Sequence, residues 1–369
     1  MAHRFAYSPT GITLTGTLGD IPLWVDGTFV DVRITAPGGV VVLNERYYAY
    51  GGSVKLYDLG SLIENDMRKS GYTYADYTIA LLNKSGGTDA SCVMHLLYCD
   101  RLNVCTDLDV FLAENFLTTL SYRRIAPKDI LSLFFLARKG ENTDVKVAYR
   151  WRSSAVSQGT HVDSYVKTGT APTADSVQQI NISQSDMVSD ASHSYGIKAD
   201  SVEIVSFTVS VGQRSVTCFV DRSLDDANNF YFRNCFNCWD LLAVPMTTTA
   251  KTEVERSTAV VNTTSQFYNQ RTTKTYEVES GALTSDEANW IDQFIASYEV
   301  FRLVPNDCDD TEPALMQHVI ITDSTCEVSD GDEKPPVVKF TWRYADNRPL
   351  VHLSASLGIF TSPFNPTFA

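Results

Sequence analysis

A chain of 369 residues with 44% hydrophobic content can bury cores in roughly two to three domains, which excludes a disordered protein. Its formal net charge of -14 excludes a broadly basic surface, since non-specific nucleic-acid affinity rests on Lys and Arg neutralising phosphates. Tyr and Phe, at 18 each, together with recurrent Val and Thr, favour strands.

Met1 to Tyr7 lacks the apolar stretch of a signal peptide, and the longest apolar runs, such as Leu131 to Ala137, are too short to span a bilayer. Synthesis in the cytoplasm, with no membrane and no nucleic acid as partners, is the expectation. Val30, Val32 and Ile34 alternate with Asp31 and Arg33, the period of a half-buried strand. A turn at Ala36-Pro37-Gly38-Gly39 returns the chain as Val40 to Leu43. A strand at Val54 to Leu56 leads into a helix, where Ser61 and Glu64 read as a capping box and Leu62, Ile63 and Met67 as the apolar side. Val110 to Leu117 reads as a second helix. Residues 1–125 are thus expected to form a β-rich domain with short helices.

Residues 126–225 read as a β-sandwich-like domain. Val145, Val147, Tyr149 and Trp151 face one way, and Val205, Phe207, Val209 and Val211 repeat the pattern. Gly212-Gln213-Arg214 then turns the chain into Val216 to Val220, a hairpin. Between these strands, 153–201 is rich in Ser, Thr, Gln and Asp, and is expected to be exposed and partly ordered around Val177, Ile180 and Ile182.

Residues 226–369 read as a third β-rich domain. Thr247 to Thr275 is Thr-rich with scattered Val and Tyr, which predicts long, exposed strands over 247–278 or an extended arm. Thr284 and Glu287 form a capping box for a helix over 284–298, with Trp290, Ile291, Phe294, Ile295 and Tyr298 as one apolar stripe. Val338, Phe340, Trp342 and Tyr344 alternate in a closing strand. The fold class expected is mainly β with a few short helices (β-rich α+β). It would be built as successive β-sandwich or β-barrel-like domains, the last carrying one capped amphipathic helix.

Chemistry is sparse. The chain has no nucleophile elbow, Walker loop, dinucleotide glycine motif or His-Glu-x-x-His, and its six histidines do not cluster. No catalytic residue, no metal site and no cofactor is expected, although a carboxylate pair for glycoside hydrolysis is defined only by the fold. The eight cysteines read mostly as reduced core thiols. Cys235-Phe236-Asn237-Cys238 has the spacing of a metal or redox pair, but no second ligand pair follows, and its flanks read as core or turn. The acidic stretches Asn306 to Asp310 and Asp330 to Glu333 lack EF-hand spacing and read as solvated loops. Trp151, Trp290 and Trp342 read as core, which leaves Trp24 and Trp239, beside turns, open as ligand platforms.

The order of elements, the segment Phe230-Tyr231-Phe232-Arg233-Asn234-Cys235-Phe236-Asn237-Cys238-Trp239-Asp240, the run Phe111 to Thr118 and the closing Tyr344-Ala345-Asp346-Asn347 resemble tail or baseplate (distal-tail-like) structural proteins of tailed bacteriophages and prophages of Bacteroidales. Asn237 stands where such proteins carry Gly. The resemblance implies a non-enzymatic virion component that forms a symmetric ring with copies of itself and neighbouring tail or baseplate proteins. Inter-subunit contacts are then expected at Thr247, Val254, Val260, Tyr268, Tyr276, Trp290, Phe294 and Tyr298, because long strands offer unpaired edges to a neighbour. A second expectation is a carbohydrate-binding or adhesin-like β-sandwich that meets a host glycan receptor.

Overall fold

The computed structural model describes residues 2–101, 107–127, 129–156, 159–224, 229–261, 263–304, 315–327 and 335–346. The protein is mainly β with four short α-helices among the described residues: α1 (Leu59–Ser70), α2 (Leu108–Glu114), α3 (Gln184–Tyr195) and α4 (Ser285–Ala296). Two compact units divide the chain. Unit 1 holds residues 1–225 and 233–240, and unit 2 holds 226–232 and 241–369.

Unit 1 contains two sandwich-like cores. In the first, a five-stranded sheet runs in the order Ile12–Leu14, Thr88–Leu97, Tyr74–Leu82, Phe29–Thr35, Val41–Tyr48. A three-stranded sheet of Arg4–Phe5, Ile21–Trp24 and Ser53–Leu56, with α1, supplies the other side. Val30, Val32 and Ile34 are fully buried here with Leu23, Leu56, Ile63 and Met67, as their alternation predicts. The start of α1 differs from the capping-box expectation. Asp58 at the N-cap is left-handed (φ 54°) and the helix begins at Leu59, so Ser61 sits in its first turn and donates to Asp58 Oδ1 at 2.7 Å.

In the second core, the strands His161–Lys167, Val145–Arg152, Glu203–Val211, Arg214–Val220 and Tyr122–Ile125 form one sheet in that order. Ile130–Ala137 pairs with Ser176–Ser183 in another, and α3 packs beside them. Segment 153–201 therefore carries two strands and a helix. Its few apolar residues suffice because they converge: Ile182, Met187 and Ala191 are all buried against Val147, Tyr149 and Trp151. One strand shifts phase. A bulge opposite Arg150 and Trp151 turns Ile204 into the core in place of the expected Val205, while Phe207, Val209 and Val211 keep their inward positions. Helix α2 starts at Leu108, because the Asp107 side chain accepts from the amides of Asp109 and Val110, and it ends at Glu114 rather than Leu117. The buried Arg214 donates from Nε to the carbonyl of Leu112 at 2.8 Å and from Nη2 to that of Leu136 at 3.1 Å, which satisfies a helix-end acceptor.

Most of a seven-stranded sheet belongs to unit 2. Its order is Trp239–Leu242, Phe230–Arg233, Val300–Val304, Leu315–Glu327, Val337–Tyr344, Thr264–Ser280, Met246–Val261. Helix α4 begins as expected, with the Thr284 hydroxyl accepting from the Glu287 amide at 3.2 Å and the Glu287 carboxylate accepting from the Thr284 amide at 2.9 Å. Its apolar face covers Phe230, Phe232 and Phe340, and the rings of Phe230 and Phe294 lie 5.4 Å apart. The acidic stretches 306–310 and 330–333 lie outside the described residues.

Candidate functional site

The most unusual element is the hairpin formed by Met246–Val261 and Thr264–Ser280. No Gly or Pro interrupts it, and Thr recurs along both strands, so nothing in the sequence stops the ladder early. At its base it belongs to the sheet. Val278 is buried, and the Tyr276 ring stacks on Trp342 with centroids 4.1 Å apart and planes 9° from parallel. The next strand pairs with it only from Tyr276 to Glu279. Beyond Tyr276 the two strands have no further strand beside them among the described residues, from Lys251 paired with Thr275 to Val261 paired with Thr264, a reach of about 35 Å at the usual strand rise.

This arm has two faces. One presents Lys251, Glu253 and Glu255 with Arg271 and Thr273 across from them, and Lys251 pairs with Glu277 on that side. The other carries Thr252, Val254, Arg256, Thr258 and Val260. Near the turn, Val260 is 72% exposed and Phe267 63%, with the Arg256 guanidinium 5.2 Å from the Phe267 ring centre. A bulge in the returning strand, where Ser257 pairs with Asn269 and Thr258 with Phe267, brings Phe267 onto the Thr258 face. The outer edge of Met246–Val261 faces no other strand among the described residues, and neither does the far edge of Thr264–Thr275. A two-stranded ribbon with both faces in water is marginal by itself, and edges of this length are templates for another chain.

Five of the residues expected at subunit contacts fall on this hairpin: Thr247, exposed on the charged face, Val254, Val260 and Tyr276 on the other, and Tyr268 in the returning strand. The side chain of Tyr268 lies outside the described residues. The structure separates the helix residues from them. Trp290 and Phe294 are buried in the core of unit 2, where the apolar stripe of α4 meets the sheet, and only Tyr298 beyond the helix is exposed, at 41%. Sequence reasoning missed Phe267 and Arg256; the bulge that aligns Phe267 with Val260 leaves no mark in an alternation pattern.

The turn over 233–240 in unit 1 is a second candidate, and it is closed. Asn234 Oδ1 accepts from the amides of Phe236 and Cys238 at 3.0 and 3.1 Å, and its Nδ2 donates to the Leu117 carbonyl at 2.9 Å. Asn237 is left-handed at φ 57°, a conformation that Asn tolerates nearly as well as Gly, and its Nδ2 donates to the Tyr72 carbonyl at 3.0 Å. Arg123 and Asp240 form a buried ion pair, with Nη2 donating to Oδ2 at 2.9 Å. Burial opposes the charge of Arg123, and Asp240 more than offsets it, holding the guanidinium above its ordinary pKa. Cys235 and Cys238 are both buried, and burial pushes the Cys238 thiol up to about 12. No group of three or more His, Cys, Asp or Glu side chains suited to a metal occurs among the described residues.

A third feature is the outer face of the three-stranded sheet. Trp24 is 49% exposed opposite Ser53, and Tyr50 and Tyr57 are exposed nearby on the same chain segment. Lys55 reaches Asp20 at 2.7 Å and lies 5.2 Å from the Tyr57 ring centre. Trp239, by contrast, is covered by the Arg233 guanidinium at 3.9 Å.

No family model matches the chain, and no curated protein matches it. Among solved structures, CBD12 from CALX1.2 is 12% identical with a TM-score of 0.19, covering 57% of this chain and 79% of that one. The calcium binding domain CBD12 of CALX1.1 is 15% identical at a TM-score of 0.15, over 57% and 79%. The teleost fish polymeric Ig receptor ectodomain is 10% identical at 0.15, over 57% and 93%.

Proposed function

We propose that this chain is a non-enzymatic structural subunit of a phage tail or baseplate, which joins copies of itself into a symmetric ring through the 246–280 hairpin. One observation carries the reading: the arm extends far beyond its own sheet with exposed apolar side chains and strand edges that no other strand meets among the described residues. In a ring, each copy lays its arm on the next, whose backbone completes the open edges and whose surface covers Val254, Val260 and Phe267. The interface is heterologous and closes by rotation. The protein then resides in the virion, works without cofactor and has neighbouring tail or baseplate proteins as its other partners. No helix among the described residues is long and apolar enough to cross a membrane.

Light scattering combined with electron microscopy of the purified chain tests this reading. Symmetric rings support it, and a strict monomer at high concentration sinks it.

The exposed face around Trp24 favours a second reading, a carbohydrate-binding module for a host glycan. An indole beside hydrogen-bonding Ser53, Lys55 and Asp20 suits a sugar's apolar face and hydroxyl rim. That reading predicts quenching or shifting of tryptophan fluorescence by neutral oligosaccharides, lost in Trp24→Ala. Binding that is unchanged in the variant would discard it.

A further inference from the structure

Two cysteines far apart in sequence meet inside unit 1. Cys99 follows the strand Thr88–Leu97 and Cys235 opens the 233–240 turn, and both are buried in one apolar cluster with Leu97, Leu112 and Phe236. The backbones are joined directly, as the Asp100 amide donates to the Cys235 carbonyl at 3.3 Å. Inside this cluster the two thiols act on each other, and the Cys99 thiol also donates to the Arg101 carbonyl at 3.4 Å. Cys238, the partner that sequence spacing suggests for Cys235, lies instead against the Thr73 hydroxyl at 3.5 Å.

We propose that Cys99 and Cys235 are a redox pair that closes to a disulfide when the folded protein meets hydrogen peroxide, stapling the end of the Thr88–Leu97 strand to the 233–240 turn. The step balances from either side. One of the two sulfurs, as thiolate, attacks one peroxide oxygen; the O–O bond breaks, hydroxide leaves and takes a proton to become water, and that cysteine is a sulfenic acid. The other sulfur then attacks it, the S–O bond breaks, and a second water leaves with the proton of the attacking thiol. Two thiols lose two electrons in total and one peroxide becomes two waters. A subunit made reduced in a cytoplasm would acquire this staple on reaching an oxidising medium.

The test is peptide mapping of the full chain after peroxide treatment, digested under non-reducing conditions. The expected product is a cross-linked peptide joining Cys99 to Cys235, lighter than the two peptides by two hydrogens and released by dithiothreitol. Cys238→Ser should keep the link, while Cys99→Ser and Cys235→Ser should lose it. The wild-type map decides the matter even where a variant fails to fold. A link between Cys235 and Cys238, a link from Cys99 to another cysteine, or no link at peroxide levels that oxidise exposed methionines overturns the proposal.

Discussion

Asn237 holds its backbone at φ 57° while its side chain, fully buried, ties the 233–240 turn to the carbonyl of Tyr72, so it does two jobs that a substitution separates. Asn237→Gly keeps the left-handed backbone and loses the side-chain donor, with an expected loss of about 1 kcal/mol. Asn237→Ala loses the donor and adds left-handed strain, about 2–3 kcal/mol in all. Urea denaturation of the two variants side by side distinguishes these costs. Arg123 and Asp240 behave differently, because removing one partner strands a charge. Asp240→Ala leaves Arg123 buried with Thr118 as a remaining partner and should cost about 3–5 kcal/mol, read in the same titration. Cys218 and Cys238, both pushed to about 12 by burial, should resist alkylation by iodoacetamide at pH 8 in the folded protein and react on unfolding. Labelling of either in the native state would show that their pockets open.

At the scale of the element, the 246–280 hairpin turns through Thr263, a β-branched residue at φ 68° where glycine is at ease. Thr263→Gly removes that strain against a smaller loss of chain entropy, a net gain of about 0.5–1 kcal/mol to the hairpin. The arm carries Lys251, Arg256, Arg271 and Lys274, so trypsin reads its opening directly. Cleavage should slow by about 2–5-fold in the variant, and an unchanged rate would mean the turn does not limit opening. Much of this element was legible in advance, since Thr-rich alternation without Gly or Pro predicts long strands, and the Thr284–Glu287 box predicts α4. What alternation does not encode is which neighbour a strand has. That no described strand beyond the hairpin's own two follows the arm past Tyr276 is set by tertiary pairing, as is the burial of Trp290 and Phe294 inside unit 2. The same limit explains segment 153–201, where Ile182, Met187 and Ala191 are too thinly spread to announce a core until strands from elsewhere meet them. It also explains why the spacing of Cys235 pointed to Cys238, three residues on, and not to Cys99, which meets it in one buried cluster.

The whole molecule joins two compact units, and the assembly reading places self-association in unit 2 alone. Deleting 251–275 and closing the shortened strands with Asn-Gly should leave unit 1 and the α4 core folded, with near-native circular dichroism, and abolish rings. Rings that persist without the arm would move the interface elsewhere in the chain. The arm's poverty of support has one more consequence. Its outward amides donate to water in an isolated chain, and the inward ones are guarded by a two-stranded ladder that opens with little cost, so all of them should exchange their hydrogens for deuterium within seconds to minutes. Completion of those edges by a neighbour would slow the same amides by orders of magnitude while the buried strands Val145–Arg152 and Glu203–Val211 exchange as before. The ribbon is thus a built-in clock for assembly, whose deuterium uptake reports how many copies have found a partner.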